Sequence, residues 1–184
     1  MARCCVLFAD GFEEIEATVV VDILRRANIE TVMLGVSSLE ATGSHGITLR
    51  MDGLLGEALD SNWDMVVLPG GMPGASTLRD DPRVQRFVKS HHAGGNRVAA
   101  ICAAPIVLGA AGLLSGRRAT SYPGFSDQLR EATISEDRVV VDELITTSRG
   151  PGTAFDFALE LVRQLVGDEA AESLRTAMLV SDVH

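Results

Sequence analysis

The sequence has no run of basic residues. Its 184 residues include 16 Lys and Arg against 25 Asp and Glu, which gives a formal net charge of −9. Nucleic acids and anionic membrane surfaces are bound mainly through clustered positive charge. The composition therefore argues against strong nucleic-acid binding and against a membrane partner. Aromatic residues are also few, at 4% of the chain, so we expect a core built from aliphatic side chains.

The sequence also lacks an export signal and a convincing membrane span. The apolar run before Asp10 is too short for a secretory signal peptide. A longer uncharged stretch, Val98 to Leu114, is rich in alanine and is interrupted by Pro105, whereas a span needs about 20 strongly apolar residues. A transmembrane segment is thus the weaker interpretation. With three cysteines and no signal, we expect a cytoplasmic protein.

Metal and cofactor motifs are equally scarce. Cys4 and Cys5 are adjacent on a predicted strand and point to opposite faces, which is typical of packing residues rather than of a metal pair. No Cys or His pair has the spacing of a zinc site. The segment 148–153, S-R-G-P-G-T, lacks the lysine of a phosphate-binding loop and is interpreted as a helix entry. We therefore predict no metal and no cofactor.

The chain shows no internal repeat or linker, so we expect a single domain over residues 1–184. Short apolar runs alternate with helical patterns, which predicts an open, doubly wound α/β fold with a parallel sheet between helices. The predicted strands are Arg3–Phe8, Thr31–Gly35, Met65–Leu68, Val98–Ile101, Ala119–Tyr122, Val139–Asp142 and Leu144–Thr147, with a hairpin over Leu39–Met51. The predicted helices are Glu14–Ala27, Pro82–His92, Ile106–Ala111, Thr153–Val166 (capped by Thr153) and about Glu169–Leu179. Ligands in such folds bind beyond the carboxyl ends of the strands.

Cys102 lies where a predicted strand turns sharply into a helix. Ala103 and Ala104 are small enough for a tight turn, and Pro105 suits the first turn of a helix. This A-x-C-x-A arrangement is that of a nucleophile elbow, and the helix N-terminus would favour the thiolate over the thiol. From this stretch alone, an inert buried cysteine is an equal alternative.

Glu16 is the first candidate partner of Cys102. It falls on the apolar face of the first predicted helix, where a carboxyl group is unfavourable unless it has a partner or holds a proton. A protonated Glu16 could donate a hydrogen bond to a thiolate. For Glu13, and for Glu14 on the side predicted to face solvent, a favourable charge at a helix N-terminus is sufficient explanation.

Gly70 and Gly71 follow the third predicted strand and form the second candidate. Without side chains, they let backbone N–H groups approach a neighbouring atom closely. Such donors could form an anion hole for a thiolate, a sulfinate or a tetrahedral intermediate. An ordinary glycine turn is the alternative.

Four segments together carry a resemblance to a known family. They are L-F-A-D-G-F-E-E-I-E, D-M-V-V-L-P-G-G, V-A-A-I-C-A-A-P and T-S-R-G-P-G-T-A-F-D-F-A-L, in this order over nearly the whole length. The chain resembles the ThiJ/PfpI superfamily, in the branch of the Parkinsonism-associated protein deglycase and bacterial YajL. The resemblance implies a flavodoxin-like sandwich, a homodimer and a reactive Cys102 with Glu16 as its carboxyl partner. It also implies that the backbone N–H groups of Gly71 and Ala103 contact the sulfur.

One position departs from the family pattern. Many members have a histidine before a proline near the cysteine, whereas this chain has Tyr122 in A-T-S-Y-P. A tyrosine, with a reference pKa of about 10, is a poor general base at neutral pH but can donate a hydrogen bond. The spacing of His91, His92 and His184 does not supply a Cys–His dyad, and His45 on the hairpin is a weak candidate.

Two functions from different classes remain open. The resemblance implies a stress-response enzyme of the glyoxalase III or protein deglycase type, in which Cys102 adds to methylglyoxal or to glycated protein groups. The alternative is an oxidation-sensing redox protein or holdase chaperone with little turnover. A protease or glutamine amidotransferase is disfavoured, because Ala103 directly follows Cys102 and only His184 lies downstream.

The homodimer is open to a direct measurement. We expect light scattering at micromolar concentration to give twice the chain mass of 19.5 kDa. A mass near that of one chain would contradict the expectation.

Overall fold

A seven-stranded sheet forms the centre of the computed structural model, which describes residues 1–59 and 62–181. The strands are β1 (Arg3–Phe8), β2 (Glu30–Gly35), β3 (Glu40–Thr42), β4 (Thr48–Arg50), β5 (Gly53–Leu54), β6 (Met65–Leu68), β7 (Arg97–Ile101), β8 (Arg118–Ala119), β9 (Thr133–Ile134), β10 (Val139–Asp142) and β11 (Ile145–Ser148). The order in the main sheet is β10-β11-β7-β6-β1-β2-β5, and β3–β4 and β8–β9 form two small separate sheets.

The strand sequences explain why this sheet is mostly parallel and covered on both faces. Every residue of β6 is buried, as is every residue of β1 except Arg3. Continuous apolar runs of this kind are typical of strands with helices above and below. The pairs β2–β1, β1–β6, β6–β7 and β7–β11 are parallel, and only the edge strand β10 runs antiparallel to its neighbour.

The helices pack on both faces of the sheet. They are α1 (Glu14–Arg26), α2 (Leu55–Ala58), α3 (Gly74–Asp80), α4 (Pro82–Ala93), α5 (Pro105–Ala110), α6 (Ala154–Val166) and α7 (Asp168–Ala177), with short 3₁₀ turns at Ser126–Gln128 and Pro151–Thr153. One group is formed by α1, α6 and α7, and the other by α3, α4 and α5. The predicted doubly wound, flavodoxin-like α/β fold is confirmed.

The chain differs from the sequence-based prediction at several places, since β5, α2 and β9 were not predicted. The strand predicted over Ala119–Tyr122 ends at Ala119, because the N–H of Thr120 turns to the Thr147 hydroxyl at 3.0 Å. Thr153 does not cap α6 with its side chain, since its hydroxyl donates back to the carbonyl of Gly150 at 2.9 Å. Helix α3 was not predicted, as it begins at a glycine and has no side-chain cap.

The uncharged stretch that begins at Val98 is divided between two short elements. It forms β7 and then the six-residue helix α5. Within residues 1–59 and 62–181, no helix combines the length and the apolar character needed to cross a membrane.

The strand order brings three loops to one edge of the sheet. The strands β1, β6 and β7 are direct neighbours, and the chain leaves each of them at its carboxyl end. The β1–α1 loop, the glycine loop after β6 and the turn after β7 therefore meet there. The chain passes from β1 to β2 on one side and reaches β6 on the other, which is the topological switch point where such folds bind ligands.

The packing of α6 provides a matched pair of valines for a test of the core. Val162 is fully buried, whereas Val166, one turn later, is 43% exposed. We expect Val162→Ala to lower the free energy of unfolding by about 2 kcal/mol, through lost burial and a small cavity. Val166→Ala should change it by less than about 0.5 kcal/mol. Urea denaturation at one fixed protein concentration measures both, and equal losses would contradict the assignment of the buried face.

Candidate active site

The turn at Cys102 is a nucleophile elbow. Cys102 has a φ of +65°, in the left-handed region that non-glycine residues rarely adopt. Such a conformation is unfavourable by roughly 1–3 kcal/mol and persists where the surrounding structure holds it. Here the Cys102 N–H donates to the carbonyl of Ser148 at 2.9 Å, and the Cys102 carbonyl accepts from the N–H of Tyr122 at 2.8 Å. The alternative of an inert, conventionally packed cysteine does not explain this backbone.

Glu16 approaches the thiol from α1. Its side chain is fully buried, and its Oε2 accepts a hydrogen bond from the N–H of Gly70 at 2.9 Å. The Cys102 thiol lies close enough to this carboxyl group to share a hydrogen bond with it. The structure therefore places the Glu16 carboxyl group beside the Cys102 thiol, and its role in catalysis stays a prediction.

The glycine loop is shaped by close approach. A Cβ on Gly70 would lie 2.6 Å from both the Cys102 Cβ and the Glu16 Oε2, which real side chains never tolerate. Gly71 has a φ of +89°, and a Cβ there would lie 2.5 Å from the carbonyl oxygen of Gly11. Only glycine fits at either position.

The two glycine N–H groups have different roles, which corrects one prediction. Gly70 was expected to donate to the sulfur, but its N–H is committed to Glu16. The N–H groups of Gly71 and Ala103 are the ones that stabilise the Cys102 thiolate. Gly70 thus orients the carboxyl group, while Gly71 and Ala103 act on sulfur.

The pKa values of Glu16 and Cys102 are both raised. Burial raises the pKa of Glu16 to about 7, opposed by its hydrogen bond with Cys102, and the charge of Glu13 adds to the increase. Burial also raises the pKa of the Cys102 thiol, and the charge of Glu16 raises that pKa further. Hydrogen bonds from the N–H groups of Gly71 and Ala103 lower the pKa, but by less than the other two effects raise it. The expectation of a lowered thiol pKa is therefore wrong. The helix behind Cys102 has only six residues and does not outweigh burial beside a carboxylate.

One proton is consequently shared by the pair at and above neutral pH. When Glu16 is ionised, Cys102 holds its proton as a thiol. A thiolate forms at low energetic cost only if that proton passes to Glu16, which removes the repulsion between two negative charges.

Glu13 and Glu14 have structural roles that the sequence analysis did not separate. Glu13 caps α1 by accepting the N–H of Glu16 at 2.7 Å, which holds the first turn in place. Glu14 was predicted to face solvent, and this prediction is wrong. Glu14 is buried against the β3–β4 hairpin, where its carboxylate accepts a hydrogen bond from the N–H of His45 at 2.6 Å. Burial opposes ionisation of Glu14, but hydrogen bonds from His45 and Ile47 outweigh it and lower its pKa to about 2.

Tyr122 contacts the elbow through its backbone. Its N–H reaches the Cys102 carbonyl, but its hydroxyl makes no hydrogen bond with any described residue. It is therefore not placed as a donor to Cys102 or Glu16.

The described histidines are engaged elsewhere. His45 pairs with Glu14, His91 contacts the carbonyl of Arg97, and His92 lies near Arg117 and Glu143. His184 lies outside the described residues. None of the described histidines contacts the thiol, and the titratable side chain that acts on Cys102 is the carboxyl group of Glu16.

A group of possible metal ligands lies beside the site. Glu13, Glu14 and His45 each offer one ligand atom, and these atoms lie within 4.8 Å of one another. The hydrogen bonds just described already account for both carboxylates, which cap the helix and anchor the hairpin. Nothing in this arrangement requires an ion.

An open cleft of about 610 Å³ lies away from Cys102, between α6, α7 and the segment before β10. Its arginines are paired with acidic neighbours, as in the contacts Arg138–Asp156 and Arg163–Glu160. Because these charges neutralise one another, we assign the chemistry to the elbow and not to this cleft.

Comparison with known proteins points to one family. The sequence model of the DJ-1/PfpI family matches residues 2–164. Protein DJ-1 homolog A of Arabidopsis thaliana is 40% identical over 176 residues, 94% of this chain but 45% of that protein, so the chain spans less than half of this relative. Protein dj-1beta of Drosophila melanogaster is 37% identical over 96% of both chains. Glutathione-independent glyoxalase DJR-1.2 of Caenorhabditis elegans is 35% identical over 88% of this chain and 87% of that protein.

Solved structures agree in fold over nearly the full length. A DJ-1 superfamily protein from Salmonella typhimurium superposes with a TM-score of 0.95 at 36% identity, covering 98% of this chain and 100% of the other. Oxidized DJ-1 of Toxoplasma gondii superposes with a TM-score of 0.94 at 38% identity, covering 97% and 98%.

The raised pKa of Glu16 predicts a specific pH dependence of stability. Its folded-state pKa of about 7 lies above the ordinary 4.5, so its favourable contribution is complete below pH 4.5 and is lost as the pH rises through 7. Glu16→Gln removes this dependence. Relative to the variant, we expect the parent chain to lose about 3 kcal/mol of unfolding free energy between pH 4.5 and 8.

Urea denaturation at both pH values measures this difference. Glu169→Gln, a change at an exposed position on α7, is the control and should follow the parent chain at both. A stability difference between parent and Glu16→Gln that is the same at both pH values would contradict the raised pKa.

Proposed function

Because the chain belongs to the DJ-1/PfpI family, we propose that it is a cysteine-dependent enzyme that converts small reactive dicarbonyls such as methylglyoxal. The proposal depends on one observation. The Glu16 carboxyl group is buried, is held by the N–H of Gly70, and is hydrogen-bonded with the Cys102 thiol. The glyoxalase name of the C. elegans relative supports this class of activity.

The first step is addition of sulfur to the aldehyde carbon. Cys102 attacks while its proton passes to the Glu16 carboxylate, and Glu16 then returns a proton to the aldehyde oxygen. The product is a hemithioacetal bound to Cys102. A general acid–base group works best when its pKa lies near the working pH, and the value of about 7 for Glu16 meets that condition.

The remaining steps turn the adduct into lactate. Glu16 removes the hydrogen from the former aldehyde carbon and delivers it to the adjacent carbon through an enediol, which leaves a thioester of lactate on Cys102. Water then cleaves the thioester and restores the thiol. One carbon is oxidised and its neighbour is reduced within the same molecule, so the reaction consumes no external oxidant or reductant.

The same chemistry extends to glycated protein groups, as a deglycase activity. Adducts of methylglyoxal with thiols or amines release the free aldehyde reversibly, and the aldehyde is then available to Cys102. Consumption of the free aldehyde at Cys102 therefore clears these adducts, while the molecule that reacts with the sulfur is the free dicarbonyl.

A second candidate function is oxidation sensing, with or without holdase activity. The N–H groups of Gly71 and Ala103 stabilise negative charge on the sulfur, and they would equally stabilise a sulfinate. A Toxoplasma relative has been solved in an oxidized form. This candidate uses the same cysteine but needs no turnover.

We also infer that the protein acts as a homodimer. Ile15 on α1 and Ile47 on the hairpin are 50% and 53% exposed, and Glu14 ties the two elements together. Large exposed apolar side chains on adjoining elements are typical of a surface that a partner covers.

Steady-state lactate formation from methylglyoxal by freshly reduced protein tests the enzyme hypothesis. We expect turnover in the parent chain, none measurable in Cys102→Ser, and a loss of about 10²–10⁴-fold in Glu16→Gln. The loss should be in kcat, because Glu16 acts on the reacting proton.

Two variants control for general damage to the protein. Cys4→Ala removes a buried cysteine remote from the sheet edge, and Glu169→Gln removes an exposed carboxylate. Both should keep the parent rate. If the reduced parent shows no turnover and low peroxide converts Cys102 to sulfinate, oxidation sensing is the function and the enzyme hypothesis is wrong.

A further inference from the structure

Tyr122 is bonded to the elbow by its backbone N–H, and its carbonyl closes a local turn with Phe125. Its N–H donates to the Cys102 carbonyl at 2.8 Å, and its own carbonyl accepts the N–H of Phe125 at 3.2 Å. Two residues earlier, the N–H of Thr120 is bound to the Thr147 hydroxyl on β11. The Cα of Tyr122 is therefore fixed beside Cys102, on the β11 side of the thiol. Glu16 and the glycine loop occupy the opposite side.

The ring of Tyr122 lies on Gly150. A Cβ on Gly150 would be 3.1 Å from Cδ2 and 3.6 Å from Cε2 of the ring. The φ of Gly150 is 164°, an extended conformation that any residue adopts, so the backbone does not require glycine here. A side chain at position 150 would instead collide with the Tyr122 ring and displace it.

The ring has no polar anchor. The Tyr122 hydroxyl makes no hydrogen bond with any described residue, and the side chain is 47% exposed. Cys102, in contrast, is only 8% exposed, so any electrophile must approach it through a narrow opening. Tyr122 thus joins a half-exposed ring to a backbone that is bonded to the elbow.

From these contacts we infer that Tyr122 is a specificity-determining residue, whose ring forms the wall of the Cys102 site on the β11 side and excludes electrophiles that carry a bulky group next to the reacting carbon. This inference refines the proposed function, on which it rests for its substrates. It favours a dicarbonyl with a methyl substituent over one with a phenyl substituent.

Matched alkylating agents test access to Cys102 without requiring turnover. Iodoacetamide and iodoacetanilide react by the same displacement of iodide by sulfur and differ by one phenyl ring. We expect Tyr122→Ala to raise the ratio of the iodoacetanilide rate to the iodoacetamide rate at Cys102 by about tenfold. Peptide mass spectrometry assigns the modified cysteine. An unchanged ratio would overturn the inference.

Two variants separate the ring from other effects. Tyr122→Phe keeps the ring and loses only the hydroxyl, so its selectivity should stay within about twofold of the parent. Ile134→Ala removes an apolar side chain that is also 47% exposed, but on β9, and should leave the ratio unchanged. A tenfold change in Tyr122→Phe would show that the hydroxyl and not the ring is responsible, and the inference would be wrong.

The parent protein supplies a test that does not depend on the folding of Tyr122→Ala. The chain has one tyrosine, so tyrosine labelled with ¹³C in the ring reports on Tyr122 alone. Alkylation of Cys102 by iodoacetamide should shift the ring signals, and so should Gly150→Ala, which places a methyl group under the ring. Treated Cys102→Ser, as control, should show no shift. If neither the alkylation of Cys102 nor Gly150→Ala shifts the ring signals, the inference is overturned. Absence of methylglyoxal turnover with intact alkylation selectivity would remove the proposed function only.

Discussion

A buried carboxyl group in contact with a buried thiol is the interaction on which the rest of this site depends. Glu16 is fully buried and Cys102 nearly so, and no cationic side chain of the described residues acts on either group. Two negative charges in such a place would repel each other strongly, so the pair must keep a proton. That proton can lie on either group, which makes the pair a reactive unit and not a simple ion site. The catalytic proposal and the sensing proposal both begin from this shared proton.

The surrounding loops serve to keep the two groups together. The N–H of Gly70 binds Glu16, while the carbonyl of Gly70 accepts the N–H of Glu13 at 2.8 Å. Gly70 thus ties the glycine loop to the start of α1 through both its N–H and its carbonyl group. Ser148 on β11 holds the N–H of Cys102 in the same way. Neighbouring strands therefore place the carboxyl group, the glycine loop and the sulfur within a shared network of backbone hydrogen bonds, which is how the strained φ of Cys102 is maintained.

The environment of the thiol bears directly on the choice between turnover and sensing. A cysteine activated by positive charge would be a thiolate at rest and open to any oxidant. Here burial and the negative charge of Glu16 raise the pKa of the Cys102 thiol, so the sulfur stays protonated at rest. The thiolate forms only when the proton is transferred to the Glu16 carboxylate. Such a site suits a substrate whose own oxygen takes the proton back in the same event. Oxidation at the same sulfur remains chemically compatible, because the N–H groups of Gly71 and Ala103 stabilise any negative product.

The sequence by itself determined the fold class, and together with the family resemblance it singled out Glu16 and Cys102 as candidates for the central pair. Continuous apolar runs in the strands, alternating with helical patterns, were enough for the doubly wound sheet, because burial on both faces leaves a direct record in composition. Glu16 could be selected because a carboxyl group on an apolar helix face is unfavourable unless it has a partner or holds a proton. Cys102 could be selected because small residues surround it between a strand and a helix.

Tertiary structure alone decided which groups pair by hydrogen bonds and how burial changes their charge states. It assigned the N–H of Gly70 to Glu16, turned Glu14 inward to the hairpin, and raised the pKa of Cys102 where a lowered one was expected. These outcomes depend on contacts between residues about 30 to 90 positions apart, and on how much water each contact excludes. Neither is encoded in any local stretch of the chain.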